Sequence, residues 1–152
     1  MGFMSRRKLL KNIDRERIKK AVEDAERQTS GEVKVSVSTF FRGDVRKVAE
    51  KAFVRLGVGK TRERNGILFF IVPSRRRFVI LGDEGIHAKV GQEFWERLSA
   101  VVSERFRKGE FTEGLVLAIG EAGKMLATHF PYNPKTDVNE LSDEIDFGAR
   151  HK

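Results

Sequence analysis

Two hydrophobic periods run through this chain. Ile18, Ala21, Val22 and Ala25 recur at i, i+3, i+4 and i+7, the spacing of one helical face, and Asp14 and Glu16 sit where the positive end of a helix favours acids. This first helix is expected to follow Asn12 and to stop before Thr29-Ser30-Gly31. Glu32-Val33-Lys34-Val35-Ser36-Val37-Ser38 then alternates strictly, which predicts a strand with one buried and one polar face, near a sheet edge. Val45, Val48, Ala49, Ala52, Phe53 and Leu56 return to helical spacing and end at Gly57, giving a crossover helix. Gly66-Ile67-Leu68-Phe69-Phe70-Ile71-Val72 is a continuous apolar run. After the turn residues Pro73-Ser74-Arg75-Arg76-Arg77 comes Phe78-Val79-Ile80-Leu81, so the two runs form an antiparallel hairpin. Neither run alternates, which predicts cover on both faces and a place in the middle of a helix-covered sheet.

Ile86-His87-Ala88-Lys89-Val90, between Gly85 and Gly91, reads as a turn or short helix. Phe94, Trp95, Leu98, Val101, Val102 and Phe106 mark a third helix. Leu115, Ala118, Ile119, Ala122, Met125 and Leu126 mark a fourth, with Thr112 as its expected N-cap. From Pro131 the periodicity is lost, and Pro131, Asn133, Pro134 and Asn139 predict a tail without packed elements. The order is β-α-β-β-α-α with a mixed α/β sheet: a right-handed crossover makes the first two strands parallel, and the hairpin sets the third antiparallel. Ser30-Gly31-Glu32, Arg62-Glu63-Arg64-Asn65 and Gly82-Asp83-Glu84-Gly85 therefore share one end of the sheet. Arg42, Arg75, Arg76 and Arg77 share the other.

At 152 residues the chain suits one domain, a size that buries about 68–70% of its unfolded surface without staples. The absence of cysteine excludes disulfides, thiolate zinc sites and cysteine nucleophiles. No apolar stretch reaches the roughly 18 residues that span a bilayer, and the N-terminus lacks an apolar signal core, so a cytoplasmic protein is expected, with the membrane surface as a peripheral station. The net charge of +8 is uneven: residues 1–20 carry eight basic and two acidic side chains, residues 131–152 three basic and five acidic. Three units follow: a basic segment 1–11, a globular domain 12–130 and an acidic, flexible tail 131–152.

Gly59-Lys60-Thr61 imitates part of a phosphate loop, but Val54 stands at the first glycine position and a helix precedes it. No Gly-x-Ser-x-Gly elbow exists. The histidines are His87, His129 and His151, and of these only His87 is near the acidic end of the sheet.

Thr29-Ser30-Gly31-Glu32, Arg64-Asn65-Gly66-Ile67-Leu68 and Gly82-Asp83-Glu84-Gly85-Ile86, together with Phe94-Trp95, Gly109-Glu110-Phe111 and Gly114, resemble the TPM domain family over residues 12–130. The resemblance implies a three-layer α/β/α sandwich, bound calcium or another divalent metal, and kinship with a chloroplast thylakoid protein credited with acid phosphatase activity. Photosystem-repair and receptor-modulating members also belong to the family, so fold does not settle function. The short form resembles a stand-alone bacterial branch that carries a tail like Asn139-Glu140-Leu141-Ser142-Asp143-Glu144-Ile145.

Three readings result. The first, lifted by the resemblance, is a divalent cation, Ca2+ or Mg2+, at Glu32, Glu63, Asn65, Asp83 and Glu84, hard oxygen donors of the kind calcium takes in groups of six to eight. Carboxylates paired with Lys60, Arg62 and Arg64 on a solvated rim are the alternative. The second makes the site a metal-dependent phosphomonoesterase, with Asp83 as ligand or base and Arg62 or Arg64 holding phosphate. The third is an accessory module that docks a protein partner through residues 133–152, where Leu141 and Ile145 stand four apart amid acids; the tail folding back on its own domain is its alternative. An envelope membrane protein is the partner that the resemblance suggests. Nucleic acid or anionic membrane at the basic segment ranks last, because aromatic interleaving is missing.

Overall fold

A computed structural model describes residues 13–38, 43–134 and 140–148. The basic segment 1–11 and Arg42 lie outside the described residues. Helix α1, Arg15–Glu26, begins at Asp14, whose carboxylate accepts from the Arg17 amide at 3.1 Å, and buries Ile18, Val22 and Ala25. Strand β1 is Glu32–Val37. Helix α2, Val45–Arg55, is capped by Asp44. Strands β2, Gly66–Val72, and β3, Arg77–Gly82, flank a 3-10 turn. Helices α3, Glu84–His87, α4, Gln92–Arg107, and α5, Phe111–His129, complete the order.

The sheet order is β1-β2-β3. Strand β1 is parallel to β2, with Glu32 opposite Gly66, and β2 is antiparallel to β3, with Ile67 opposite Gly82. Side chains alternate between faces, and the two faces feed two cores. Val33, Val35, Val37, Ile67, Phe69 and Ile71 pack with residues of α1, α4 and α5; Leu68, Phe70 and Val72 pack on Val45, Ala49 and Ala52 of α2. The result is the three-layer α/β/α sandwich, with its mixed sheet and expected pairing.

Several local expectations are corrected. Strand β2 is central and wholly buried; β3, expected to be covered on both faces like it, is an edge strand with Arg77 exposed and the rest of intermediate exposure. Thr112 does not cap α5, which starts at Phe111; its hydroxyl accepts instead from the Asp14 amide at 3.0 Å and ties α1 to α5. The polar face of β1 is not solvated, since Glu32, Lys34 and Ser36 are all buried. What covers them is the supposed tail. Residues 140–148 pack along β1, so the expectation of a tail without packed elements fails for them. Asp146 bridges Ser36 in parallel orientation, Val37 N donates to Asp146 O at 2.7 Å, and Asp146 N donates to Val35 O at 2.9 Å. Leu141 joins the α2-side core, while Ile145 and Phe147 join the other. The periodicity signal fails here because each apolar residue of so short a segment is placed by one contact with a strand, not by a repeating face of its own.

Helices α1 and α5 approach closely at Gly123, where a Cβ would stand 2.8 Å from the Ala25 Cβ. Gly123→Val is expected to lower stability by about 1–3 kcal/mol through overpacking. One turn earlier, a Cβ at Gly120 would meet nothing within 4 Å, so Gly120→Ala should raise it by roughly 0.5–1 kcal/mol through helix propensity. Urea midpoints shifted in the same direction by both variants would contradict this account of the α1–α5 contact.

Candidate functional site

The connection entering β2 is folded tightly on itself. Arg64 N donates to Thr61 O at 3.2 Å, Asn65 N donates to Thr61 Oγ1 at 3.2 Å, and the Thr61 hydroxyl faces Asn65 Oδ1 at 3.3 Å. Asn65 Nδ2 reaches Ser30 Oγ at 3.2 Å, and Glu32 N donates to Asn65 O at 3.3 Å. The turn forces Arg64 to φ +53°, a left-handed conformation that costs a non-glycine residue roughly 1–2 kcal/mol. Its guanidinium lands on Asp83: Nε lies 2.6 Å from Oδ2 and Nη2 lies 2.9 Å from Oδ1. Nη1 lies 3.3 Å from Glu84 Oε1. Asp83 is 5% exposed and also caps α3, accepting from Glu84 N at 2.8 Å. Gly85 lets the two turns meet: its N donates to Arg64 O at 2.9 Å, and a Cβ there would stand 2.4 Å from Glu63 O and 2.5 Å from Arg64 O.

Glu32 does not join this group. Gly66 pairs with Glu32 on one side and accepts from Asp83 N on the other, and Val58 O would lie 2.6 Å from a Cβ at Gly66. The loop carrying Val58 therefore occupies the space between the two carboxylates. Glu32 turns to the C-terminal segment, accepting from Leu141 N at 3.0 Å. Burial, opposed by backbone N–H groups of Leu141 and Glu140, pushes its carboxyl up to about 7. Beside it, burial and a hydrogen bond with Asp143 push Glu26 up to about 10, although Glu26 Oε2 accepts from Val33 N at 2.7 Å. Lys34 donates to Ser142 O at 3.1 Å and Glu144 O at 2.7 Å, and burial lowers its pKa. Burial raises Asp146, but hydrogen bonds from Arg55, Ser36 and Gly148 outweigh it and hold the carboxyl below its ordinary value. Of the expected ligand set, then, Asp83 and Glu84 converge on Arg64. Glu63 is exposed and brings its backbone carbonyl near Gly85, and Asn65 is buried as a hydrogen-bonded staple. Among the described residues no three acids or histidines form a metal-holding group.

A family model described as the TPM domain matches residues 4–125. The chain belongs to the TPM domain family. Among solved structures, this TPM domain is similar to the BA42 protein of the psychrophilic bacterium Bizionia argentinensis, at 33% identity, 97% cover of each chain and a TM-score of 0.83. It shares its fold with the N-terminal domain of a P. gingivalis protein, at 20% identity, TM-score 0.63, 87% cover of this chain and 83% of that one. The N-terminal domain of the cg2496 protein of Corynebacterium glutamicum is a further fold relative, at 15% identity, TM-score 0.57, 83% and 76% cover. No curated protein matches the chain.

Elsewhere in the TPM domain, the residues of the phosphate-loop look-alike form a 3-10 turn after α2 and a buried Thr61. The His87 ring rests 5.0 Å from Trp95, and His129 ends α5. At the basic end of the sheet, Arg75 Nη1 donates to Gly43 O at 3.0 Å and Arg76 Nη1 to Arg107 O at 3.2 Å. No helix among the described residues is long and apolar enough to cross a membrane. Sequence reasoning missed Glu26, Lys34, Arg55 and Asp146. The available signal was Lys34 inside an alternating strand, opposite in charge to the acidic C-terminal residues.

Glu32 and Glu26 titrate higher folded than their ordinary 4.5. Their contribution is complete below about 4.5 and is lost as pH rises through about 7 for Glu32 and about 10 for Glu26. Asp146 has the opposite sign and loses its contribution only as pH falls through its depressed value; Lys34, lowered by burial, offsets the loss at alkaline pH. Stability should therefore decline from about pH 4.5 upward, until about 7 for the Glu32 part and about 10 for the Glu26 part, and Glu32→Gln, whose amide oxygen still accepts from Leu141, should flatten the decline below about pH 7 in urea melts. An unchanged slope in this variant would contradict the assignment.

Proposed function

We propose that this TPM domain is a divalent-cation-binding accessory module, with calcium or magnesium held by the carboxylates of Asp83 and Glu84 and the backbone carbonyl of Glu63. One observation carries the reading: two carboxylates converge on a half-exposed guanidinium, so the site already holds a positive charge. Arg64 is the stand-in for the ion. The donors are hard oxygens suited to calcium, and water completes a shell of six to eight. The guanidinium is tied to its strained turn and half open to solvent, so it can leave when a more concentrated charge arrives. On binding, Arg64 is freed to face solvent or a partner, which gives an accessory protein a calcium-dependent surface. The same pairing weakens the phosphomonoesterase alternative, because the guanidinium that would clamp phosphate and the carboxylate that would act as base neutralise each other.

Without metal, Arg64→Gln should lower the urea midpoint by removing the cation that neutralises the buried Asp83 carboxylate. Calcium should restore that loss, and the variant should bind calcium about tenfold or more tighter than the parent, since the competing charge is gone. Asp83→Asn should abolish binding. Amide resonances of residues 63–65 and 83–87, followed during calcium and then magnesium titration of the metal-free protein, would report it. Resonances unmoved at millimolar metal in both parent and Arg64→Gln would sink the proposal.

A further inference from the structure

The C-terminal segment behaves as a ligand of its own domain. Residues 140–148 contain four acids, Glu140, Asp143, Glu144 and Asp146, and no base. The groove beneath them is lined by bases: Lys19 Nζ lies 2.6 Å from Glu144, Lys34 donates to two of the segment's carbonyls, and Arg55 clamps Asp146 with Nη1 at 3.1 Å and Nη2 at 2.8 Å. Arg15 lies over the Phe147 ring, 4.3 Å from its centre. The main chain adds as a short parallel strand on the free edge of β1, through the Val35 and Val37 hydrogen bonds. Side chains alternate about that edge: Asp146 faces Ser36 and Arg55, while Ile145 and Phe147 face the α1 side. Yet no residue of 140–148 is fully buried, and a segment held by so few backbone bonds is among the first parts of a fold to open.

We infer that the edge of β1 with Lys34, Ser36 and Arg55 is a peptide-docking groove, which residues 140–148 occupy in the resting state. The partner it fits is an extended acidic peptide that runs parallel to β1 and carries an apolar residue, an aspartate and an aromatic residue in succession. Strand addition supplies the affinity through main-chain bonds, and the alternating pockets supply the choice of sequence. The apolar-Asp-aromatic order matches Ile145, Asp146 and Phe147. Three positions before the aspartate, Asp143 hydrogen-bonds Glu26, whose carboxyl burial holds far above its ordinary value; two residues before that, Leu141 N donates to Glu32. Because only residues 135–139 join the intramolecular occupant to residue 134, it competes at an effective concentration on the order of millimolar. The groove therefore opens only to a partner that outbids a tethered segment, or when Asp146 lets go. This reading does not depend on cation binding at Asp83.

The test uses the full chain and, as probe, a fluorescent peptide of residues 140–148. The parent should bind it weakly. Asp146→Lys, which opposes Arg55 with a like charge, should release the tethered segment and tighten peptide binding at least about tenfold. A probe with lysine in place of its aspartate should bind Asp146→Lys at least about tenfold more weakly than the unchanged probe, because Arg55 then meets a like charge. No binding to Asp146→Lys, or binding indifferent to lysine in place of the probe's aspartate, would overturn the inference, as would a dimer formed by exchange of the segment between two copies. If Asp146→Lys does not fold, millimolar peptide added to the parent must shift the amides of its own residues 140–148 as they are displaced; unmoved amides there overturn the proposal equally.

Discussion

Strand β2 imposes the constraint from which the rest of the molecule follows. All seven of its residues are buried and none carries a polar side chain, so both faces must be covered and both edges paired. Burial of each large side chain in it is worth about 1.5–3 kcal/mol, a gain that exists only when α2 closes one face and α1, α4 and α5 close the other. The same constraint shapes the loops. To bring Val58 over the start of β2 there must be a glycine at position 66, and to bring the next turn against Glu63 and Arg64 there must be one at 85. The candidate cation site is the by-product of that crowding: Arg64 is bent into a left-handed turn and its guanidinium delivered onto Asp83.

The fold was largely legible from the order of residues. Hydrophobic period separated strands from helices, the continuous run from Gly66 to Val72 identified the central strand, and crossover handedness gave the parallel pairing. Legibility failed where one residue answers to a distant one. Thr112 reads as a cap from its neighbours, but its hydroxyl serves Asp14, 98 positions away. Lys34 and Ser36 read as solvent-facing because alternation cannot reveal that a segment more than 100 residues later will lie over them. The site was half legible for the same reason. Topology brought the three charged connections to one end of the sheet, whereas the separation of Glu32 from Asp83 depends on where the Val58 loop settles.

Charge is handled differently at the two ends of the 61–65 turn. On one side a half-exposed cation neutralises buried Asp83. On the other, burial raises the carboxyl groups of Glu26, to about 10, and Glu32, to about 7, so that the charged form is disfavoured. The two are joined through the backbone: Arg62 N donates to Glu140 Oε2 at 3.1 Å, and Glu32 N to Asn65 O. The short turn that carries Arg64 thus also holds Glu140 of the segment on β1, so the proposed cation site and the proposed docking groove share one stretch of backbone.

The sheet is closed to further strands on one side and open on the other. Residues 145–147 occupy the outer edge of β1, while among the described residues no strand pairs with the outer edge of β3, beside which Arg76 and Arg77 stand. Runaway edge-to-edge growth needs two free edges per molecule. With one, two molecules can at most join their sheets about a twofold axis, and the reaction ends there. The C-terminal segment thus sets Asp143, Glu144 and Asp146 along the outer side of a strongly apolar sheet, where their charge opposes edge-to-edge pairing.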